Sequence, residues 1–221
     1  MLRPGSVDDY NSFVASMQAS ASDAATALSI QNAEAATALS IQKSADAEAA
    51  RIERIAQDLV GNITTLDGYV SALPSRLADV TAAIANVSTA ATDSQSQFDN
   101  CDTAAYYADD AVGFAVDAVQ YAIDAVGYTT ASIADSVKLV QQGITALTPL
   151  AHTDDQVTDL DAGKSAITDA YTAVANANTT DGESLKSAMS IYTGSRTYYL
   201  QHCAGHTLPA VTVPTVGSPG K

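Results

Sequence analysis

From Ile63 to Leu147 the apolar residues recur in steps of three and four, and that spacing commits most of the chain to long helices packed along a seam. The first stretch carries Ile63, Leu66, Val70, Leu73, Leu77, Val80, Ile84, Val87 and Ala91. The second carries Val112, Val116, Val119, Ile123, Val126, Ile133, Val137, Val140, Ile144 and Leu147. A helix turns about 100° per residue, so each set lines one meridian. In the second stretch AVGFAVD, AVQYAID and AVGYTTA stack as successive heptads. Tyr107, Phe114, Tyr121 and Tyr128 form another stripe there, about 200° from the valines. Ala111, Ala118 and Ala125 sit beside the rings. Asp110, Asp117 and Asp124 run along one flank, next to Gly113, Gln120 and Gly127. A helix apolar on two sides needs partners on two sides.

Upstream the period is different. DAATALSIQNA (23–33) is followed by EAATALSIQKS (34–44), and ADAEAARIERI (45–55) is a fainter third copy. Eleven residues in three turns give a helix that is nearly straight or slightly right-handed in its supercoil. Leu28 and Leu39 share a face with Ala24 and Ala35, while Ile30 and Ile41 lie about 200° away. This helix too has two apolar sides.

The punctuation sets expected boundaries. Pro4-Gly5 precedes Ser6, which reads as an N-cap with Asp9 at the reciprocal position, so a helix is expected from Val7. Pro74 predicts a kink or a joint between Gly68 and Pro74. The polar window DSQSQFDNCDT (93–103) fits either a helix–helix turn, with Asp102 or Thr103 as cap, or one continuous helix. The seven-residue step through Ile84, Ala91, Phe98, Ala105 and Val112 favours continuity. Thr148-Pro149 ends the helix, and Thr153 with Gln156 makes a capping box. A shorter helix bearing Val157, Leu160, Ile167, Tyr171 and Val174 follows. Asp181 is expected to cap a last helix with Leu185, Met189, Tyr192 and Tyr199. The expected fold is all-α. Its segments are an N-terminal helix (1–62), a long heptad helix or helical hairpin (63–147), a C-terminal helical hairpin (148–205) and an extended Pro/Gly tail (206–221).

Composition narrows the chemistry. Ala makes up about a fifth of the 221 residues and Trp is absent, so the core is thin and helices must approach closely. With a net charge of −15 and only ten Lys and Arg, the chain lacks the basic patch that nucleic acid or an anionic membrane requires. No signal peptide is expected at the N-terminus, and no run is apolar enough for a transmembrane helix. Cys101 and Cys203 are expected as free thiols, with a single bridge as the alternative. His202, Cys203 and His206 supply three of the four ligands zinc wants, with Cys101 and His152 the other candidates, and read as a polar helix end. The Asp110, Asp117 and Asp124 stripe reads as a solvated edge rather than a cation site. No GxxxxGK[ST], HExxH, GxSxG or paired CxxC occurs, so no catalytic residue, metal or cofactor is expected and the chain reads as a non-enzyme.

Two architectures accommodate the seam. In one, three copies run parallel and share Val112, Val116, Val119, Ile123, Val126, Ile133, Val137 and Val140 as the oligomer interface. The second packing face, Tyr107, Phe114, Tyr121 and Tyr128, is then covered by the chain's own terminal helices. In the other, one chain folds into an antiparallel bundle turning near Asp99–Thr103. A continuous helix over 63–147 would be about 130 Å long. The switch from eleven- to seven-residue repeats, the small core residues and the short C-terminal helical piece resemble the trimeric coiled-coil proteins of tailed viruses: fibres, needles and spikes. The resemblance spans residues 23–147 and carries over no functional residues. It implies a homotrimer docked at one end on capsid or tail proteins, located in the virion. The rival expectation is a cytoplasmic helical-bundle adaptor, or a coat protein of the granule- or lipid-associated type, although the acidic charge opposes the latter.

Overall fold

The computed structural model describes residues 7–97 and 100–208, and they are helical almost throughout, with no strand among them. The elements are α1 (Val7–Ser96), α2 (Cys101–Tyr106), a π-helical turn (Tyr107–Ala111), α3 (Val112–Leu147) and α4 (Asp154–His202). Ser6 and its proposed cap, Phe98, Asp99 and the tail beyond Leu208 lie outside the described residues. The chain divides into two compact units, residues 1–54 and 55–221.

The first unit contributes the N-terminal part of α1. From 7 to 51 every residue is exposed except the half-buried Val14. Ser and Thr hydroxyls of the repeat bond back to their own helix, Thr26 to the Ser22 carbonyl and Thr37 to the Ala33 carbonyl, each at 2.9 Å. Good helix formers maintain this segment, and back-bonding satisfies the hydroxyls at a small cost to the helix.

The second unit is an up-down-up bundle of residues 55–96, 101–147 and 154–202. Leu66, Leu73, Val80 and Val87 bury one stripe of α1, and Val70, Leu77 and Ile84 flank it half-buried. Small residues set the spacing of the helices. A Cβ on Gly143 of α3 would lie 3.1 Å from Leu59 Cδ1, and one on Gly163 of α4 would lie 3.1 Å from Ile144 Cδ1. Gly163 beside Val140 and Ile144, and Arg196 beside Asp109, fix α3 and α4 as antiparallel.

Several boundaries differ from those expected. Pro74 sits inside α1 without ending it. Its side chain is exposed, so the Val70 carbonyl that loses its amide partner lies toward water, and the buried stripe Leu66–Leu73–Val80 holds the helix together across it. The helix is broken within the window 93–103. α1 ends at Ser96, and the Asn100 side chain accepts hydrogen bonds from the amides of Asp102 and Thr103, taking the capping role expected of those two residues. The Thr153–Gln156 capping box forms as read. The C-terminal hairpin does not form: α4 runs unbroken through Asp181. Ala177, Asp181, Ser184 and Ala188 are steps of one buried stripe, and that continuity overrides the turn-like sequence around Asp181 and Gly182.

α4 ends in a turn where the His206 amide donates to the Cys203 carbonyl at 3.2 Å. Gly205 there has φ of 90°, a conformation that glycine alone adopts cheaply. Cys101 and Cys203 form a disulfide with a Cα–Cα distance of 5.7 Å. This corrects the expectation of two free thiols. The antiparallel bundle brings the start of α2 beside the end of α4, which a spacing of 102 residues does not reveal.

Candidate functional site

The two stripes of α3 differ in burial. Val112, Val116, Val119, Ile123, Val126, Ile133, Val137 and Val140 are all buried within the chain's own bundle. β-Branched residues pack most closely against the neighbouring helices, and α1 and α4 supply two surfaces for that one stripe. The rings point the other way. Phe114, Tyr121 and Tyr128 are 69 %, 76 % and 78 % exposed, and only Tyr107 is half-buried.

Next to the rings, Asp110, Asp117 and Asp124 are exposed and Gly113, Gln120 and Gly127 are half-buried. A Cβ added at Gly113 or Gly127 would meet nothing within 4 Å. Gln120 donates to Asp124 at 2.9 Å. From Leu77 to Val137 the sequence contains no Lys or Arg. The outer face of α3 is thus a row of large rings beside a row of carboxylates, each repeating about every 10.5 Å along the helix.

The end of the bundle near residue 100 is polar inside. The π-helical turn adds a residue to the helical register, so Ala104, Ala108, Val112 and Val116 are buried at steps of four. It also aims Asp109 at α4. Arg196 pairs with Asp109, and the Tyr192 hydroxyl donates to the same carboxylate at 3.2 Å. Arg196 donates in turn to the Tyr192 hydroxyl at 3.2 Å. Burial lowers the guanidinium pKa of Arg196, which remains charged across the physiological range. Burial, then the charges of Asp110 and Asp117, push the Tyr192 phenol up. The disulfide closes this end against Ala104, Ala108 and Tyr199.

Cys203 is a disulfide sulfur here, so the His202-Cys203-His206 cluster offers no thiolate ligand. His202 stacks on Tyr198 with ring centroids 3.9 Å apart, and His206 lies 3.9 Å from Asp102. His152 is in the connection at the opposite end of the bundle, where its Nδ1 is 2.6 Å from the Leu150 carbonyl. Among the described residues no group of three or more His, Cys, Asp or Glu is placed to hold a metal ion.

One titratable group escaped the sequence reading. Asp181 is buried in α4, its Oδ1 has no hydrogen-bond partner, and burial raises its pKa to about 6. Ser195 Oγ and the Tyr199 hydroxyl are likewise buried without partners. None of these three is hydrogen-bonded to a general base, the geometry that activates a nucleophile. A heptad position taken by Asp in an otherwise apolar stripe was the signal that could have found Asp181. Comparison with protein-family models, curated proteins and solved structures found no match to this chain.

Proposed function

We propose that this chain is a non-enzymatic structural protein that assembles into a homo-oligomer, with a trimer favoured, as a component of a larger assembly such as a virion fibre or spike. The observation that carries this reading is an apolar helix left bare in a chain whose valine seam is already buried. The valine seam is satisfied within the chain, yet Leu28, Ile30, Leu39 and Ile41 stand exposed on α1 at eleven-residue intervals. Isolated helices gain little in water without tertiary packing, so a repeat of this length implies a partner for its apolar sides. No helix of the described residues is long and apolar enough to cross a membrane. The Cys101–Cys203 disulfide suits an oxidising setting, including the exterior of a virion, better than a reducing cytoplasm.

A second reading has its own observation. The rings of Phe114, Tyr121 and Tyr128 beside uncompensated Asp110, Asp117 and Asp124 suit a basic amphipathic segment of another protein, as in an adaptor. Sedimentation velocity of the full chain separates the two. The structural reading predicts a species of three times 22.7 kDa, and a 22.7 kDa monomer at tens of micromolar contradicts it.

A further inference from the structure

On the first unit's helix, Tyr10, Met17, Ala24, Leu28, Ala35 and Leu39 fall within about 40° of one meridian at 100° per residue. Tyr10, Met17, Leu28 and Leu39 are 56–68 % exposed. The carboxylates of this stretch, Asp8, Asp9, Asp23 and Glu34, all lie at least about 100° from that meridian. The stripe meets its first charge on the meridian at Asp46. Between Tyr10 and Leu39 the acids are Asp23 and Glu34, and neither lies on the strip, which runs about 44 Å without a charge.

We infer that the strip from Tyr10 to Leu39 is the surface through which copies of this chain associate. The inference rests on the self-assembly reading above and names its seat. A second copy is the occupant that the charge pattern fits. Two such strips meet without bringing carboxylates together, because the acids of both helices remain on the outside. A basic partner finds no counter-charge there. The outer face of α3 is the opposite case: Asp117 and Asp124 lie next to its rings, so pairing that face with itself would place carboxylates against carboxylates.

Area argues for more than two copies. A strip about 44 Å long and about 10 Å wide buries roughly 900 Å² in total between two helices, below the roughly 1,200 Å² of a stable pair. Three strips around a common axis bury roughly 1,300 Å² in total. The eleven-residue period keeps the strip nearly straight, so it needs little supercoiling to stay in contact.

The test is sedimentation equilibrium on the full chain and two double variants. Leu28→Asp/Leu39→Asp charges the strip, and Ile30→Asp/Ile41→Asp adds the same charge on the opposite side. All four side chains are exposed, so the bundle's melting temperature should hold in both variants and serves as the folding control. The inference predicts an oligomeric wild type, dissociation to 22.7 kDa with at least tenfold weaker association in the leucine variant, and retained assembly in the isoleucine variant. A wild-type oligomer unmoved by the leucine changes, or one lost equally on the isoleucine changes, overturns the strip alone. A wild type of 22.7 kDa at every concentration overturns the strip and the self-assembly reading together.

Discussion

Gly143 lies against Leu59: a Cβ there would stand 3.1 Å from Leu59 Cδ1 and 3.3 Å from Leu59 Cβ. α3 approaches α1 so closely at this point that a methyl group there would require Leu59 to give by a few tenths of an ångström. Glycine costs a helix interior about 1 kcal/mol relative to alanine, so the close contact must return at least that. Gly127 has no such neighbour. Gly127→Ala is therefore expected to stabilise the bundle by about 0.5–1 kcal/mol. Gly143→Ala should fail to gain this, and Gly143→Val should destabilise by about 1–3 kcal/mol through overpacking. Urea midpoints of the three variants check the ordering. Equal gains for both alanine variants would show that the helices are not in close contact at Gly143.

The burial of one α3 stripe and the exposure of the other give a second prediction. Val119 is fully buried, so Val119→Asp places an unpaired charge in the core and should cost about 3–5 kcal/mol. Tyr121→Ser and Tyr128→Ser alter exposed rings and should change stability by less than about 0.5 kcal/mol each. Chemical denaturation of the monomeric leucine variant isolates these effects from assembly. A folded, stable Val119→Asp chain would return the valines to a role between copies.

Much of this fold was legible because it is local. The seams over 63–91 and 112–147 and the capping box at Thr153 are short-range patterns, and each forms a helix or a helix start where the spacing places it. What could not be read is what depends on the fold as a whole. Val119 and Tyr121 are both apolar, and which of them faces inward depends on what α1 and α4 present. The window 93–103 keeps heptad phase whether or not it turns, so the turn is settled only when the two seams find each other. Cys101 and Cys203 meet for the same reason. Asp181 was misread because an Asp-Gly pair normally marks a turn, whereas here the buried stripe of α4 carries the helix through it. The candidate assembly surface was half legible: Leu28 and Leu39 stood out by repetition, but their freedom from intramolecular cover did not.

Asp181 predicts a pH dependence. Its folded pKa is raised from 3.8 to about 6, so the folded chain holds the proton more tightly than the unfolded chain. The associated stability is fully present below about pH 4 and is lost as pH rises through about 6, by roughly 3 kcal/mol for a shift of about two units. Asp181→Asn cannot ionise. It should melt above wild type at pH 7.5 and close to it at pH 4. A difference between the two that is constant across this range would place the Asp181 carboxyl in water.

The disulfide predicts a large response to reduction. A bridge across 102 residues removes much of the freedom of the unfolded chain, worth about 4.7 kcal/mol in the loop-entropy account. Reduction, or Cys101→Ala with Cys203→Ala, should lower the urea midpoint clearly while leaving the helical circular dichroism signal at low denaturant. Unchanged midpoints in oxidised and reduced protein would mean that the bridge does not form.

The account holds that the chain completes its own core with the valine seam and assembles through the bare helix that precedes it. Amide hydrogen exchange measured across a dilution series reads both halves at once. The account predicts that amides of 112–140 keep the same protection at every concentration, while those of 10–39 are protected in the assembled protein and lose protection on dilution. Protection of 112–140 that falls with dilution, or exchange of 10–39 that is fast at all concentrations, would contradict it.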